Sequence, residues 1–202
     1  MMQTAVATLP PVTVPALWPG STIVCLGTGP SLTAADVAAV QGKARVIAIN
    51  DAYTLAPWAD VLYACDAKWW TWHKGAPTFQ GRKYALTARA ALWPGVQLLK
   101  DTGMTGLERQ PHGLKTGKSS GYQAINLAVH LGAARVVLLG YDMQGQHYFG
   151  AHPDKSAPPF ALCLSHFASL VEPLRAAGVE VINCSRRTAL TVFPRRPLEA
   201  VL

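Results

Sequence analysis

Short apolar segments alternate along the chain with helical and turn-rich segments. Seven of them have the length and boundaries of β-strands: 22–26, 46–49, 61–65, 83–87, 96–100, 135–139 and 179–182. Helical periodicity is clearest over 122–131 and 160–177. This alternation predicts one α/β domain over residues 21–202, with a mainly parallel, helix-flanked sheet. Residues 1–20 contain four prolines and are expected to form an extended N-terminal arm.

The first two strands enclose a turn that contains two glycines. Gly27-Thr28-Gly29 ends the first strand, and Pro30-Ser31 is the expected head of a short helix before the strand at 46–49. Glycines let the backbone approach a ligand, and the free N–H groups of a helix start suit an anion such as phosphate. The turn therefore predicts a nucleotide-type pocket. Leu32 stands where a dinucleotide fingerprint has its third glycine, and the alternative is a tight turn without a ligand.

Polar residues follow several of the predicted strands. Asn50 ends the second strand, Asp66 follows the third, and Gly140-Tyr141-Asp142 ends the sixth. Ser119 or Ser120 is the expected N-cap of the helix at 122–131. Residues just past the carboxyl ends of strands face the ligand crevice in an open α/β sheet. These side chains are therefore expected on a common rim.

Three tryptophans lie close together after the third strand. Trp69 and Trp72 are three residues apart, as on one face of a helix, which favours anchoring in the core. The alternative is a stacking surface for a base or a sugar ring.

Net charge indicates which classes of partner the protein could bind, and the cysteines indicate its cellular compartment. Eighteen Lys and Arg against eleven Asp and Glu give a net charge of +7, which favours nucleotides, nucleic acid or acidic glycans. The alternative is a generally basic surface with no such role. Four cysteines without C-x-x-C spacing indicate reduced, mostly buried thiols in a reducing compartment. No apolar run reaches the ~18 residues of a membrane span, and the arm lacks the basic start of a signal peptide. The expected location is the cytoplasm.

Histidines in the polar segment 143–159 are the candidates for acid–base chemistry. The chain has no G-x-S-x-G motif, so acyl transfer through such a serine is not expected. Histidine accepts a proton near neutral pH, which makes one of His147 and His152 a candidate general base. Two alternatives stay open: solvated loop histidines, or a metal site formed by Asp142, His147, His152 and Asp154.

Several segments together resemble a known superfamily. They are VCLGTGPSL, AIND, YACD, SSGYQAINLAVHLGAARVVLLGYDM, HYFGAHPDK and VEVINCS. This combination resembles the small bacterial sialyltransferases that use a CMP-sialic-acid donor. It is also similar to prophage-encoded and flagellin-modification proteins of the same Rossmann-like superfamily, which includes archaeal 6-hydroxymethylpterin diphosphokinase-like enzymes. The resemblance covers about residues 22–185 and implies a single Rossmann-like domain.

The resemblance also implies roles for individual residues. His152 resembles the base that deprotonates the acceptor hydroxyl, Tyr148 a tyrosine that hydrogen-bonds the leaving phosphate, and Asp142 the start of the substrate lid. These three are the expected catalytic residues. Donor contacts are implied for Gly27, Thr28, Gly29, Pro30, Ser31, Asn50, Asp66, Ser119, Ser120, Gly121 and Tyr141. Thr28 and Asp66 depart from the sialyltransferases, which carry amide side chains at both positions.

The expected function is that of a nucleotide-dependent, glycosyltransferase-like enzyme with single-step displacement at the anomeric carbon and no required cofactor. Its expected partners are a nucleotide or nucleotide-sugar donor and an unidentified hydroxyl acceptor; homo-oligomerisation is left open. One alternative is a pterin-type diphosphokinase with Mg²⁺ held by carboxylates such as Asp66 and Asp142. Another is a phage accessory protein that binds nucleotide or nucleic acid without turnover through the basic C-terminal segment.

Overall fold

The structure, a computed structural model, describes residues 10–150 and 160–202. This part of the chain forms strands β1 (Ser21–Leu26), β2 (Arg45–Ile49), β3 (Val61–Tyr63), β4 (Arg82–Ala85), β5 (Val96–Leu98), β6 (Lys100–Asp101), β7 (Gly113–Leu114), β8 (Ala133–Leu139) and β9 (Glu180–Asn183). Its α-helices are α1 (Ala34–Val40), α2 (Ala67–Trp72), α3 (Ser120–His130), α4 (Phe160–Phe167) and α5 (Val171–Ala176). Short 3₁₀ helices cover Asn50–Thr54, Ala88–Leu92, Ala168–Leu170 and Leu198–Ala200.

Seven parallel strands form the central sheet, in the order β5-β4-β3-β2-β1-β8-β9. Val24 of β1 pairs with Val46 of β2 on one side and with Val137 of β8 on the other. The chain therefore moves outward from β1 to β5 and returns through α3 to the opposite side of β1. This reversal leaves the carboxyl ends of β1 and β8 at a topological switch point, where open α/β sheets bind ligands. The predicted single α/β domain with a Rossmann-like, helix-flanked parallel sheet is confirmed.

Both faces of the sheet are buried, which explains why its central strands β1, β2 and β8 contain continuous apolar runs rather than alternating patterns. One face packs against α3 and α4, where Tyr122, Leu127 and Phe167 are fully buried. The other face packs against α1 and α2 through residues such as Val37 and Trp70. The two layers hold the helix starts and strand ends in fixed positions relative to each other.

The helix after β1 begins later than the sequence predicted. Thr33 and Asp36 form a capping box, in which the Thr33 hydroxyl accepts from the Asp36 N–H at 3.2 Å. The Asp36 carboxylate accepts in return from the Thr33 N–H at 3.1 Å. The prediction of a helix head at Pro30-Ser31 is therefore wrong, because these residues lie in the turn itself. The free N–H groups of the α1 start therefore do not lie beside Gly29, as the sequence had predicted, but follow Thr33.

The helix predicted over 160–177 is divided into two. α4 ends at Phe167, a 3₁₀ turn covers Ala168–Leu170, and α5 follows. Pro173 lies in the first turn of α5, where its missing N–H costs no intrahelical hydrogen bond.

The tryptophans after β3 do not pack as a pair on one helix face. Trp69 and its neighbour Trp70 are buried, whereas Trp72 is 40% exposed. Core anchoring is thus confirmed for Trp69, and the prediction for Trp72 is wrong because the short α2 turns that residue away from the sheet.

The basic C-terminal segment is folded onto the sheet. Leu190 and Phe193 are buried in the core. The side-chain amide of Asn183 donates to the Leu190 carbonyl at 3.2 Å and to the Thr188 hydroxyl at 3.1 Å. Residues 184–193 are therefore part of the domain.

No disulfide joins the four cysteines, all of which lie in the described residues: Cys25, Cys65, Cys163 and Cys184. Burial raises the pKa of the Cys25 and Cys65 thiols to about 12. These thiols therefore stay protonated and weakly nucleophilic at neutral pH. Within residues 10–150 and 160–202, no helix has the length and apolar character needed to cross a membrane.

Candidate functional site

The carboxyl ends of the parallel strands bring most of the predicted site residues to one edge of the sheet. The turn at 27–31 follows β1, Asn50 follows β2, Asp66 follows β3, and Tyr141 with Asp142 follows β8. Ser119, Ser120 and Gly121 form the start of α3 at the same edge, since the Tyr141 hydroxyl donates to the Gly121 carbonyl at 3.0 Å. His152, the expected base, lies outside the described residues. The roles of all these residues in binding stay predictions.

The glycines of the 27–31 turn allow the chain to pack against itself. The Gly27 N–H donates to the Leu139 carbonyl at 2.7 Å, and the Gly29 N–H donates to the Gly140 carbonyl at 2.8 Å. A Cβ atom on Gly27 would lie 2.6 Å from the Gly140 carbonyl oxygen, and one on Gly29 would lie 2.3 Å from Oδ1 of Asp142. The space above both glycines is therefore filled by the chain from β8.

Asp142 holds this turn in place. Its two carboxylate oxygens accept from the Ser31 N–H at 2.9 Å and from the Ser31 hydroxyl at 2.7 Å. The side chain is 1% exposed, and burial raises its pKa against the opposing effects of the Ser31 hydrogen bonds and the Arg187 charge. These contacts give Asp142 a positioning role. Asp142 thus engages the Ser31 N–H, and the Gly27 and Gly29 N–H groups donate to carbonyls of the chain from β8. The turn therefore has few donors left for a phosphate.

The start of α3 offers donors that the turn lacks. The first N–H groups of a helix have no partner within the helix, and the Ser119 side chain makes no capping hydrogen bond to them. Gly121 allows a close contact here, since a Cβ atom would lie 2.8 Å from the ring of Tyr141. The Tyr141 ring is buried, and burial raises its pKa well above the ordinary value. Tyr141 thus supports the helix start as a neutral packing group.

The segment that leads toward His152 crosses the same edge. The His147 Nδ1 lies 2.8 Å from the Thr28 hydroxyl, and the Tyr148 N–H donates to the Thr28 carbonyl at 3.0 Å. The Tyr148 hydroxyl donates to the Asp51 carbonyl at 2.7 Å and lies 2.8 Å from the Thr54 hydroxyl. Burial raises the pKa of Tyr148, so its hydroxyl stays protonated and can donate. Residues 147 and 148 therefore join the β1 turn to the 3₁₀ helix after β2.

A network of side chains around Asp51 anchors this 3₁₀ helix. The sequence analysis did not predict this network. The Asp51 carboxylate accepts from Nε1 of Trp69 at 3.0 Å and lies 3.1 Å from Nε2 of His73. The other ring nitrogen of His73 lies 3.0 Å from the Tyr53 hydroxyl. The imidazole also stacks on Trp69, with ring centroids 4.1 Å apart. The Asp51 side chain is therefore directed into an aromatic cluster, which leaves Asn50 and the Asp51 carbonyl at the edge.

Asp66 differs from the other two carboxylates of this edge. It is the residue before α2, it is exposed, and it makes no side-chain hydrogen bond to that helix. Asp51 and Asp142 are both engaged with the chain. Of these three carboxylates, that of Asp66 is therefore the exposed one.

The end of β9 contributes a fifth strand end that sequence reasoning did not include. The Tyr141 N–H donates to the Ser185 hydroxyl at 2.8 Å, and the Thr188 hydroxyl donates to the Tyr141 carbonyl at 2.6 Å. Arg187 lies between these anchors and is exposed. The sequence could have indicated this strand end, because Asn183 is a polar residue at the end of an apolar segment, as Asn50 is.

The opposite edge of the sheet also has open depressions, which Trp58 and Asp60 share. The Asp60 carboxylate is already bound there, by the Arg45 guanidinium at 3.0 Å and by the Val46 N–H at 2.8 Å. This edge lies at the amino ends of the strands and has none of the predicted site residues.

A metal site is not formed by the described residues. No group of three or more His, Cys, Asp or Glu side chains in residues 10–150 and 160–202 is arranged to hold an ion. Two members of the alternative ligand set, His152 and Asp154, lie outside that part of the chain. Asp142, proposed for both metal alternatives, already accepts two hydrogen bonds from Ser31.

The chain has a Rossmann-like α/β fold, and most of the predicted site residues lie at the carboxyl edge of its sheet. The fold is similar to that of the sialyltransferase CstII from Campylobacter jejuni, solved in complex with the substrate analogue cytidine-5'-monophosphate (CMP). The similarity has a TM-score of 0.54 and 12% sequence identity, and it covers 88% of this chain and 85% of that chain. No family model matches the sequence, and no curated protein matches it. At this identity, the comparison establishes the fold.

Proposed function

We propose that this protein is a glycosyltransferase-like enzyme that takes its sugar from a cytidine nucleotide-sugar donor. The observation that carries the proposal is the open start of α3 beside the β1–β8 switch point, in a fold similar over most of its length to that of a CMP-bound sialyltransferase. Helix starts bind phosphate through their free N–H groups and the positive end of the helix dipole. Ser119, Ser120 and Gly121 would therefore hold the donor phosphate.

The other residues of the edge have matching roles in this proposal. Asn50 and the exposed Asp66 would bind the base and the ribose, because amide and carboxylate groups pair with ring nitrogens and hydroxyls. Thr28 and the turn around it would form the wall between the nucleotide and residues 147–148, which they contact directly. Asp142 would act through Ser31, by fixing the shape of the turn.

The proposed transfer is a single displacement at the anomeric carbon. A bond forms between that carbon and the acceptor oxygen, while the bond to the donor phosphate breaks and CMP leaves with the electron pair. His152 would take the proton from the acceptor hydroxyl. The Tyr148 hydroxyl would donate to the departing phosphate by exchanging its present partner, the Asp51 carbonyl, for a phosphate oxygen.

The geometry gives less support to the diphosphokinase alternative. That reaction needs Mg²⁺ on carboxylates, and of the two proposed ligands only Asp66 has a carboxylate that is not already engaged with the chain. Transfer is accordingly expected to survive removal of divalent cations by EDTA.

A thermal-shift series with nucleotides tests the proposed donor class. CMP at a hundredfold excess over its Kd should stabilise the protein by about 2.7 kcal/mol, which raises Tm by roughly 5–10 °C. Asp66→Ala should weaken CMP binding by about tenfold, because one hydrogen bond to a charged group is lost. Glu199→Ala, an exposed acid of the C-terminal segment, is the matched control and should bind CMP like the wild type.

Two results of the same series would contradict the proposal. One is the absence of stabilisation by every cytidine nucleotide. The other is stabilisation by oligonucleotides alone that falls steeply with salt, which would instead support the nucleic-acid-binding alternative.

A further inference from the structure

The segment after β9 is fastened to the strand end that carries Tyr141 and Asp142. Besides the two hydrogen bonds of Tyr141 with Ser185 and Thr188, the Ala189 N–H donates to the Asp142 carbonyl at 2.8 Å. Contacts on both sides of Arg187 therefore fix the position of its backbone.

Arg187 also touches the β1 turn, through a hydrogen bond from its N–H to the Ser31 hydroxyl at 3.3 Å. The same hydroxyl donates to Asp142, so Arg187, Ser31 and Asp142 meet at one point of the edge. The positive charge of Arg187 acts on the buried Asp142 carboxylate and partly opposes the effect of burial on its pKa.

The neighbouring arginine shows how Arg187 differs. Arg186 binds the Asp36 carboxylate with Nε at 2.9 Å and Nη2 at 2.8 Å, so its charge is neutralised within the chain. The Arg187 guanidinium is exposed, and it forms no hydrogen bond or ion pair with the described residues. One of two adjacent arginines is therefore used for folding, and the other is exposed beside the contact between Ser31 and Asp142.

A cation at this edge would strengthen the binding of a nucleotide phosphate. The N–H groups of residues 27, 29 and 31 already form hydrogen bonds within the chain, and the start of α3 supplies only partial positive charges. Guanidinium binds phosphate with two parallel hydrogen bonds, which are stronger than those between neutral groups. We propose that Arg187 is the cation that binds the phosphate of the nucleotide in this crevice. This inference rests on the proposed function.

The test is calorimetric titration of CMP and cytidine into the wild type, Arg187→Gln, Arg187→Lys and Arg196→Gln. Arg187→Gln should weaken CMP binding by about tenfold and leave cytidine binding within about twofold, because only CMP has the phosphate. The affinity of Arg187→Lys for CMP should lie between those of the wild type and Arg187→Gln, because lysine keeps the positive charge but lacks the planar guanidinium group. Arg196→Gln removes an exposed charge from the same segment and should change CMP binding by less than about twofold.

The outcomes separate this inference from the proposed function. If the wild type binds CMP and Arg187→Gln binds it equally well, the role of Arg187 is overturned and the donor class stands. The role is also overturned if Arg187→Gln weakens CMP and cytidine alike, or if Arg196→Gln matches its effect on CMP. If the wild type binds neither ligand, both conclusions fall together. The unliganded Tm of each variant is expected to lie within about 4 °C of that of the wild type, because an exposed charge contributes less than about 1 kcal/mol. This measurement checks that the exposed side chains are not needed for folding.

Discussion

Gly29→Ala is expected to destabilise the protein by about 3 kcal/mol, at the upper end of the usual cost of overpacking, and to lower Tm by roughly 6–12 °C. The new methyl group would lie 2.3 Å from Oδ1 of Asp142 and 2.6 Å from the Gly140 carbonyl oxygen. Both atoms are fixed, the first by Ser31 and the second by the hydrogen bond from Gly29 itself. Relief of the clash therefore requires the turn and the end of β8 to separate.

Gly42→Ala is the matched control for this substitution. Gly42 has φ near +75°, with no atom within 4 Å of an added Cβ, so alanine there suffers only backbone strain of about 1 kcal/mol. Chemical denaturation of the two variants measures the difference. If Gly29→Ala were as stable as the wild type and only bound CMP more weakly, the glycine would be keeping space for the ligand, and the packing explanation would be wrong.

His152→Ala is expected to lower the rate of sugar transfer by about 10²–10⁴-fold, the usual contribution of a general base, while CMP binding stays within about twofold of the wild type. In the proposed mechanism the base is a neutral imidazole, so the wild-type rate should rise with pH across the range in which histidine titrates. This pH dependence should disappear in the variant. Release of CMP from a CMP-sugar in the presence of oligosaccharide acceptors measures the rate.

His147→Ala is the control that distinguishes the two candidate histidines. The His147 ring lies against the Thr28 hydroxyl and stacks on Phe149, with ring centroids 4.9 Å apart. Its replacement should weaken donor binding without removing the pH dependence of the rate. The opposite pattern, with transfer lost in His147→Ala and kept in His152→Ala, would show that the base is assigned to the wrong residue.

The positions of the strands and their mainly parallel arrangement could be predicted because the sheet is buried on both faces. Segments such as 46–49 and 136–139 are then apolar throughout, and all strands of a parallel sheet end at the same edge. Asn50 and Asp66 could be placed on that edge for this reason alone. The start of α1 was missed although Thr33 and Asp36 have the spacing of a capping box, because Pro30 and Ser31 are also typical of a helix start.

The contacts that give each site residue its role depend on long-range packing and could not be predicted. Ser31 and Asp142 are 111 positions apart, and the Tyr148 hydroxyl reaches the carbonyl of a residue 97 positions earlier. Arg186 and Asp36 are 150 positions apart. Nothing in the local pattern says which of two adjacent arginines forms an ion pair, since that depends on where α1 lies relative to the end of β9.

The central claim is that a cytidine nucleotide binds at the carboxyl edge of the sheet, between the start of α3 and the ends of β1 and β2. An NMR titration of ¹⁵N-labelled protein with CMP tests this claim most directly. The amide signals of Asn50, Ser120 and Gly121 should shift with a common Kd, while those of Gly42 and Gly81 at the opposite edge should stay in place. Shifts confined to Gly42 and Gly81, or to the exposed Arg195 and Arg196 of the C-terminal segment, would contradict it.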